Sequence, residues 1–209
     1  MRPLARRSVL GLGLAGLAAI PLAARAADAQ AAIAPVIALD NALLAAMKAG
    51  KSAPFQQRYQ ALQPVVARVF DLGQVLQVSI GPGWSGIPTQ MQGLLFSEFE
   101  RYTVATYVAN FDSYDGERFE VTPTLRAVGE NQVVQTSLVS ASGKPTRIDY
   151  VMHDEGGSWK VVDVLLDGTI SRVAVQRSDF RQILRSGGAR GLISMLERKV
   201  ADLSRGAMQ

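Results

Sequence analysis

The spacing of apolar residues along the chain changes character twice. Up to about residue 111 they recur with the period of a helix. From 117 to 166 they fall on every second position, and after 171 the helical period returns. Ile33, Val36, Ile37, Leu39, Leu43, Leu44 and Met47 predict a first helix over 27–52, with Pro35 in its opening turn and Gly50 as its stop. Phe55, Tyr59, Leu62, Val65, Val66 and Val69 predict a second over 53–70, kinked or split at Pro64. Asp71 is placed to cap a third helix that stops at Gly81-Pro82-Gly83. Thr89 is placed to cap a fourth that runs to about Phe111, and the polar cluster 112–116 then turns the chain.

Four strands are predicted in the alternating region, over 117–127, 131–141, 146–154 and 158–166. The separators Gly129-Glu130, Ser142-Gly143-Lys144-Pro145 and Glu155-Gly156-Gly157 are short, which implies consecutive antiparallel hairpins. Ile148, Tyr150 and Met152 alternate with Arg147, Asp149 and His153, so one face of the sheet is apolar and requires a cover. Two closing helices, 171–184 and 189–204, flank Gly187-Gly188. The expected class is α+β, with helices packed on one face of a curved sheet.

Composition changes this picture at the N-terminus. Arg2, Arg6 and Arg7 precede an uncharged apolar run from Val9 to Leu22, and Ala24-Arg25-Ala26 offers small residues for cleavage. Residues 1–26 therefore read as an export signal, with Arg6-Arg7 compatible with the twin-arginine as well as the general secretory route. Four of the 22 basic residues lie in this segment, which leaves 18 against 18 acidic residues in 27–209. The net charge of +4 belongs to the signal, and no positive field remains to draw nucleic acid. The absence of cysteine excludes disulfides and a lipoprotein anchor. The expected mature product is a single soluble domain over 27–209, located in the periplasm, with no transmembrane segment.

Catalytic constellations are scarce. His153 is the sole histidine, and Ser85 misses the nucleophile-elbow spacing by one residue. His153-Asp154-Glu155 precedes Gly156-Gly157 and reads as a polar hairpin turn rather than a metal site. Trp84, among glycines and Pro82, suits either core packing or ligand contact. Asp163 interrupts an apolar strand, where a carboxylate is costly unless paired. It is either a base in a pocket, with Tyr150 or His153 as acid, or an anchor bonded to nearby backbone or to an arginine such as Arg172. Hydrophobic residues make up 48% of the chain, an ordinary fraction that does not separate a filled core from a hollow one.

Phe55-x-x-Arg58-Tyr59, Pro64, Phe70-Asp71, Gly81-x-x-Trp84, Phe99, Tyr107, Tyr114-x-Gly116 and Trp159-x-Val161-x-Asp163-Val164-x-x-x-Gly168 occur in an order that resembles the MlaC-type family of periplasmic lipid carriers, also known as toluene-tolerance proteins. The stretch from Asp163 to Arg181 resembles the hopanoid-associated branch, often called HpnM. The resemblance implies an NTF2-like, curved, four-stranded antiparallel sheet, with N- and C-terminal helices around a lipid-binding cavity. It implies a non-enzymatic carrier with no cofactor beyond its bound lipid, either a phospholipid or a hopanoid. The implied partners are an inner-membrane ABC transporter with its MCE-domain protein and an outer-membrane complex. On alternation and helical phase, the ligand-binding residues expected from the sheet are Phe119, Val134, Tyr150, Met152 and Val164. From the helices and the loop they are Leu76, Ile80, Trp84, Leu95, Phe99, Val108 and Phe111, with Val173 closing one side. The alternatives from other classes are an isomerase- or dehydratase-type enzyme on the same fold and an accessory protein of hopanoid synthesis.

Overall fold

A computed structural model describes residues 22–208, with side chains from residue 27 onward. Most of the expected export signal lies outside the described residues. Helix α1 (Leu22–Ala49) is followed by a 3-10 turn over Gly50–Ser52, then α2 (Phe55–Val69), α3 (Leu72–Ile80), a second 3-10 segment Gly81–Gly86, and α4 (Thr89–Asn110). The sheet follows, and a long helix α5 (Arg172–Ser204) closes the chain.

The prolines disturb the helices less than their positions suggest. Pro64 lies within α2, which runs unbroken, and Pro35 lies well inside α1 rather than in a first turn. Each removes the N–H that would bond the carbonyl four residues earlier, and each also crowds that carbonyl. Those carbonyls belong to Ala31 and Gln60, both exposed residues, where a carbonyl without its helix donor can bond water at little cost. Asp71 caps α3 as expected, its carboxylate accepting the Gln74 N–H at 2.9 Å. Thr89 does not cap α4; it is the first helical residue, and Pro88 holds the cap position. Gln92 instead ties the helix start to the preceding segment, donating to the carbonyls of Trp84 and Ile87.

Seven strands replace the four expected: β1 (Arg118–Val121), β2 (Arg126–Val128), β3 (Asn131–Val134), β4 (Thr136–Val139), β5 (Pro145–Asp154), β6 (Trp159–Leu166) and β7 (Ile170–Ser171). The first predicted strand is broken into β1 and β2, and the second into β3 and β4. Pro123, which has no N–H to give a ladder, sits in the first break, and Gln135 sits in the second. The two breaks lie side by side, bridged by the Thr122 N–H bonding the Gln135 carbonyl at 2.9 Å. β3 and β4 both pair antiparallel along β5, so the fold-over is local and the sheet stays continuous. β6 pairs with the other edge of β5 and carries a bulge opposite Val151 and Met152. Breaks and bulges of this kind bend a sheet, and they give this one its curvature.

Helices cover the apolar face. The stretch Ala27–Ser52 is long and apolar enough to cross a membrane on composition. Its Ala32, Val36, Leu39 and Leu43 are nevertheless fully buried within the fold, as a core helix requires. Gly188 (φ 59°, ψ −159°) divides α5 into two helical stretches, at the Gly187-Gly188 pair that the sequence marked. The buried Arg58 donates to the Val108 carbonyl at 2.8 Å, placing a guanidinium on the last turn of α4 where the helix dipole favours a cation. That contact accounts for the arginine in the Phe55-x-x-Arg58 pattern.

On β5, Arg147 clamps the fully buried Asp149 through Nε and Nη2, the shortest contact being 2.6 Å. Gly168 (φ 73°) makes this possible, because a Cβ there would lie 2.6 Å from Arg147 Nε. Gly168→Ala is therefore expected to cost about 2 kcal/mol, from a left-handed backbone forced on alanine together with a displaced guanidinium. Urea unfolding checks this, and an unchanged midpoint would contradict it.

Candidate functional site

Between α4, the start of α5 and the β5–β6 hairpin lies a cavity of about 240 Å³ with mostly apolar walls. One face of α4 forms the longest wall: Phe99, Tyr102, Thr103, Thr106, Tyr107 and Asn110, spaced at three and four residues. Ile148 and Tyr150 of β5 stand opposite, beside Val164 and Leu166 of β6. The register pairs Tyr150 with Val164 and Ile148 with Leu166, so both strands present the same face here. Phe70, Leu72 and Val75 close one side, and Arg172, Val173 and Gln176 of the first α5 turns close another.

Aromatic rings line up across the wall. Phe70 lies 5.8 Å from Tyr107, Tyr107 lies 6.0 Å from Phe111, and Phe111 lies 6.2 Å from Phe119, measured between ring centroids. Phe180 backs Phe99 edge-on at 6.2 Å. Phe70 is held in place by backbone pairing, since it bridges to Val161 and the next N–H, that of Asp71, bonds the Val161 carbonyl.

The polar groups of the site divide into tied and untied. Asp163 is tied: its carboxylate accepts the backbone N–H groups of Val164 and Val173, at 2.8 and 3.0 Å, and the Ser171 hydroxyl. It anchors β6 to the start of α5, with three donors already on its two oxygens. Backbone and Ser171 hold it, not Arg172. His153 is likewise engaged, its Nδ1 lying 2.8 Å from Asn131 Oδ1 across the β3–β5 pair.

Behind the wall sits a group that sequence reasoning missed. Asp40 of α1 is buried, and neither of its carboxylate oxygens finds a hydrogen-bond partner among the described residues. The hydroxyl of Tyr150, whose ring forms the cavity wall, is equally buried and unsatisfied. Burial pushes the Asp40 carboxyl from 3.8 up to about 7, with the nearby Tyr150 hydroxyl opposing the rise. Burial also raises the Tyr150 hydroxyl, with Tyr107 and Asp40 adding to the rise. Tyr107 is raised by burial and then by Asp40, against the opposing charge of Arg172.

Five of the thirteen residues expected at the site line the cavity: Phe99, Phe111, Tyr150, Val164 and Val173. Leu76, Leu95, Val108, Val134 and Met152 are fully buried, and Ile80 is nearly so, in the packed core around it. Phe119 extends the aromatic row, and Trp84 packs half-buried against the core from the Gly81–Gly86 segment. The lining residues that the sequence reading passed over are chiefly Tyr102, Thr103, Thr106 and Asn110. Their signal was available as a helical face of small hydroxyls between aromatics.

The described residues form an α+β unit, with helices over a curved antiparallel sheet and an apolar hollow between the layers. The MlaC protein family matches residues 38–198, and the chain belongs to that family. Its fold is similar to that of the phospholipid-binding protein from Ralstonia solanacearum, whose structure was solved in complex with a phospholipid. The TM-score is 0.71 at 21% identity, over 83% of this chain and 98% of the other. No curated protein matches the chain in sequence.

Proposed function

We propose that this protein is a periplasmic carrier that holds a membrane lipid by its apolar part in the cavity and hands it on without covalent chemistry. The observation that carries the reading is the apolar hollow walled by α4, β5, β6 and the start of α5, in a chain of the MlaC family. Exposing acyl chain to water costs about 0.8 kcal/mol per methylene, so a two-tailed lipid costs on the order of 20 kcal/mol. Hydrogen bonds net only about 1 kcal/mol each and cannot offset that. Only dry apolar wall can, and Phe70, Tyr107 and Phe111 contribute part of it. With 18 basic and 18 acidic residues beyond the export segment, the carrier has little electrostatic reason to remain on an anionic membrane.

In this reading residues 1–26 direct export, and the lipid is a phospholipid or a hopanoid. The protein exchanges it with an inner-membrane ABC transporter and MCE-domain protein on one side and an outer-membrane complex on the other. The Asp163–Arg181 stretch favours the hopanoid-associated branch.

Protein purified from the periplasm of a hopanoid-producing bacterium is expected to release lipid on denaturing mass spectrometry, in about one copy per chain. Repeated recovery without lipid, together with no uptake from phospholipid or hopanoid vesicles, would overturn the proposal. The mass of the released lipid decides between the two ligand classes.

A further inference from the structure

The cavity has one basic side chain in its lining, Arg172, at the first residue of α5. It is half-buried, and among the described residues its side chain makes neither a hydrogen bond nor an ion pair. The four ion pairs among the described residues join Lys51, Arg101, Arg118 and Arg147 to carboxylates, and what distinguishes Arg172 is its place in the cavity lining.

The neighbouring carboxylate does not serve it. Asp163 also lines the cavity, but its oxygens are taken by Val164, Val173 and Ser171. Arg172 also sits at a helix N-terminus, the end where a cation is disfavoured. Its position therefore does nothing for the helix, and the side chain borders the cavity with its five N–H donors free of protein acceptors among the described residues. Around it the rim is polar: Gln176 lies one turn further along α5, and Asn110 is exposed at the end of the α4 wall.

We infer that Arg172 receives an anionic group, a phosphate ester or a carboxylate, carried by the molecule whose apolar part fills the cavity. The inference rests on the lipid-carrier reading and makes it narrower: the preferred cargo is an amphiphile with a negative head at the α5 end of the cavity. A planar guanidinium suits either oxyanion through two parallel N–H donors, which an ammonium does not reproduce. The charge of Arg172 already reaches the Tyr107 hydroxyl on the cavity wall, so a head group at the rim lies within its field.

The test loads the purified, delipidated protein from vesicles containing equal amounts of phosphatidylglycerol and diacylglycerol, and quantifies bound lipid by mass spectrometry. Wild type is expected to take the anionic lipid over the neutral one by about tenfold, the scale of one charge-assisted contact. Arg172→Gln is expected to bring the ratio close to that of the vesicle, and Arg172→Lys to restore part of it. A second pair, oleate against oleyl alcohol, separates the two sources of charge. Loss of preference in both pairs makes Arg172 a general anion reader, and loss in the first alone makes it a phosphate reader. An Arg172→Gln ratio equal to that of wild type overturns the inference while leaving the carrier reading standing. Failure of wild type to load any of the four compounds sinks the carrier reading itself.

Discussion

Asp40→Asn should make the protein more stable at pH 8 by about 4 kcal/mol and leave it nearly unchanged near pH 4. Burial raises the Asp40 carboxyl from 3.8 to about 7, no ion pair among the described residues offsets the rise, and only the Tyr150 hydroxyl opposes it. The folded chain therefore holds this proton more tightly than the unfolded chain does. For such a group the contribution to stability is fully present below the unfolded value, is lost progressively as pH rises, and is gone above the folded value. The window thus runs from about 4 to about 7, and the wild type weakens as it is crossed. Asparagine has nothing to ionise and keeps a polar group opposite the Tyr150 hydroxyl. Urea unfolding of both proteins at pH 4, 6 and 8, read as the difference between them, cancels the titration of every other carboxylate. A mutant equal to or weaker than wild type at pH 8 would mean that Asp40 is paired after all.

Thr106→Trp should reduce lipid loading at least tenfold while the protein remains folded. Thr106 lies midway along the α4 wall, half-buried, and its hydroxyl bonds only the Tyr102 carbonyl within the same helix, at 2.8 Å. That bond is dispensable in a helix. An indole at this point projects into a hollow of about 240 Å³, already below the roughly 300–1,000 Å³ of ordinary small-molecule pockets. Filling a void avoids most of the roughly 1–3 kcal/mol that overpacking costs in a solid core. Leu94→Trp, on the same helix but exposed and away from the cavity, is the matched control and should load normally. Equal loading by the Thr106 and Leu94 variants would show that lipid does not occupy this cavity.

The change from helical to alternating period was legible because it depends on the mean pattern of many residues. Each helix, the hairpin order and the break at Gly187-Gly188 followed from it. The breaks that split the first two strands did not, because a bend at Gln135 needs no glycine or proline to mark it. Pro123 did carry a signal, as a residue that cannot donate to a ladder. At the site, alternation shows which side of a strand faces the helices but not whether the helices fill the space there. Val134 and Met152 share a face with Tyr150, yet they meet packed core while Tyr150 borders the hollow. Threonines 103 and 106 were passed over because apolarity was the criterion, although small side chains between aromatics are what leave room. Asp40 was equally visible, four residues after Val36 and three before Leu43, on the face that those two bury.

The joint in α5 divides responsibilities within one helix. Before Gly188 the helix supplies Arg172, Val173 and Gln176 to the cavity; after it, Leu192, Leu196 and Val200 are locked in the interior. The backbone angles at Gly188 belong to a region open to glycine almost alone, so ordinary substitution cannot straighten the joint. The elbow thus sets the cavity-facing turns at one angle and the interior turns at another, with Phe180 the one deeply buried anchor on the cavity side.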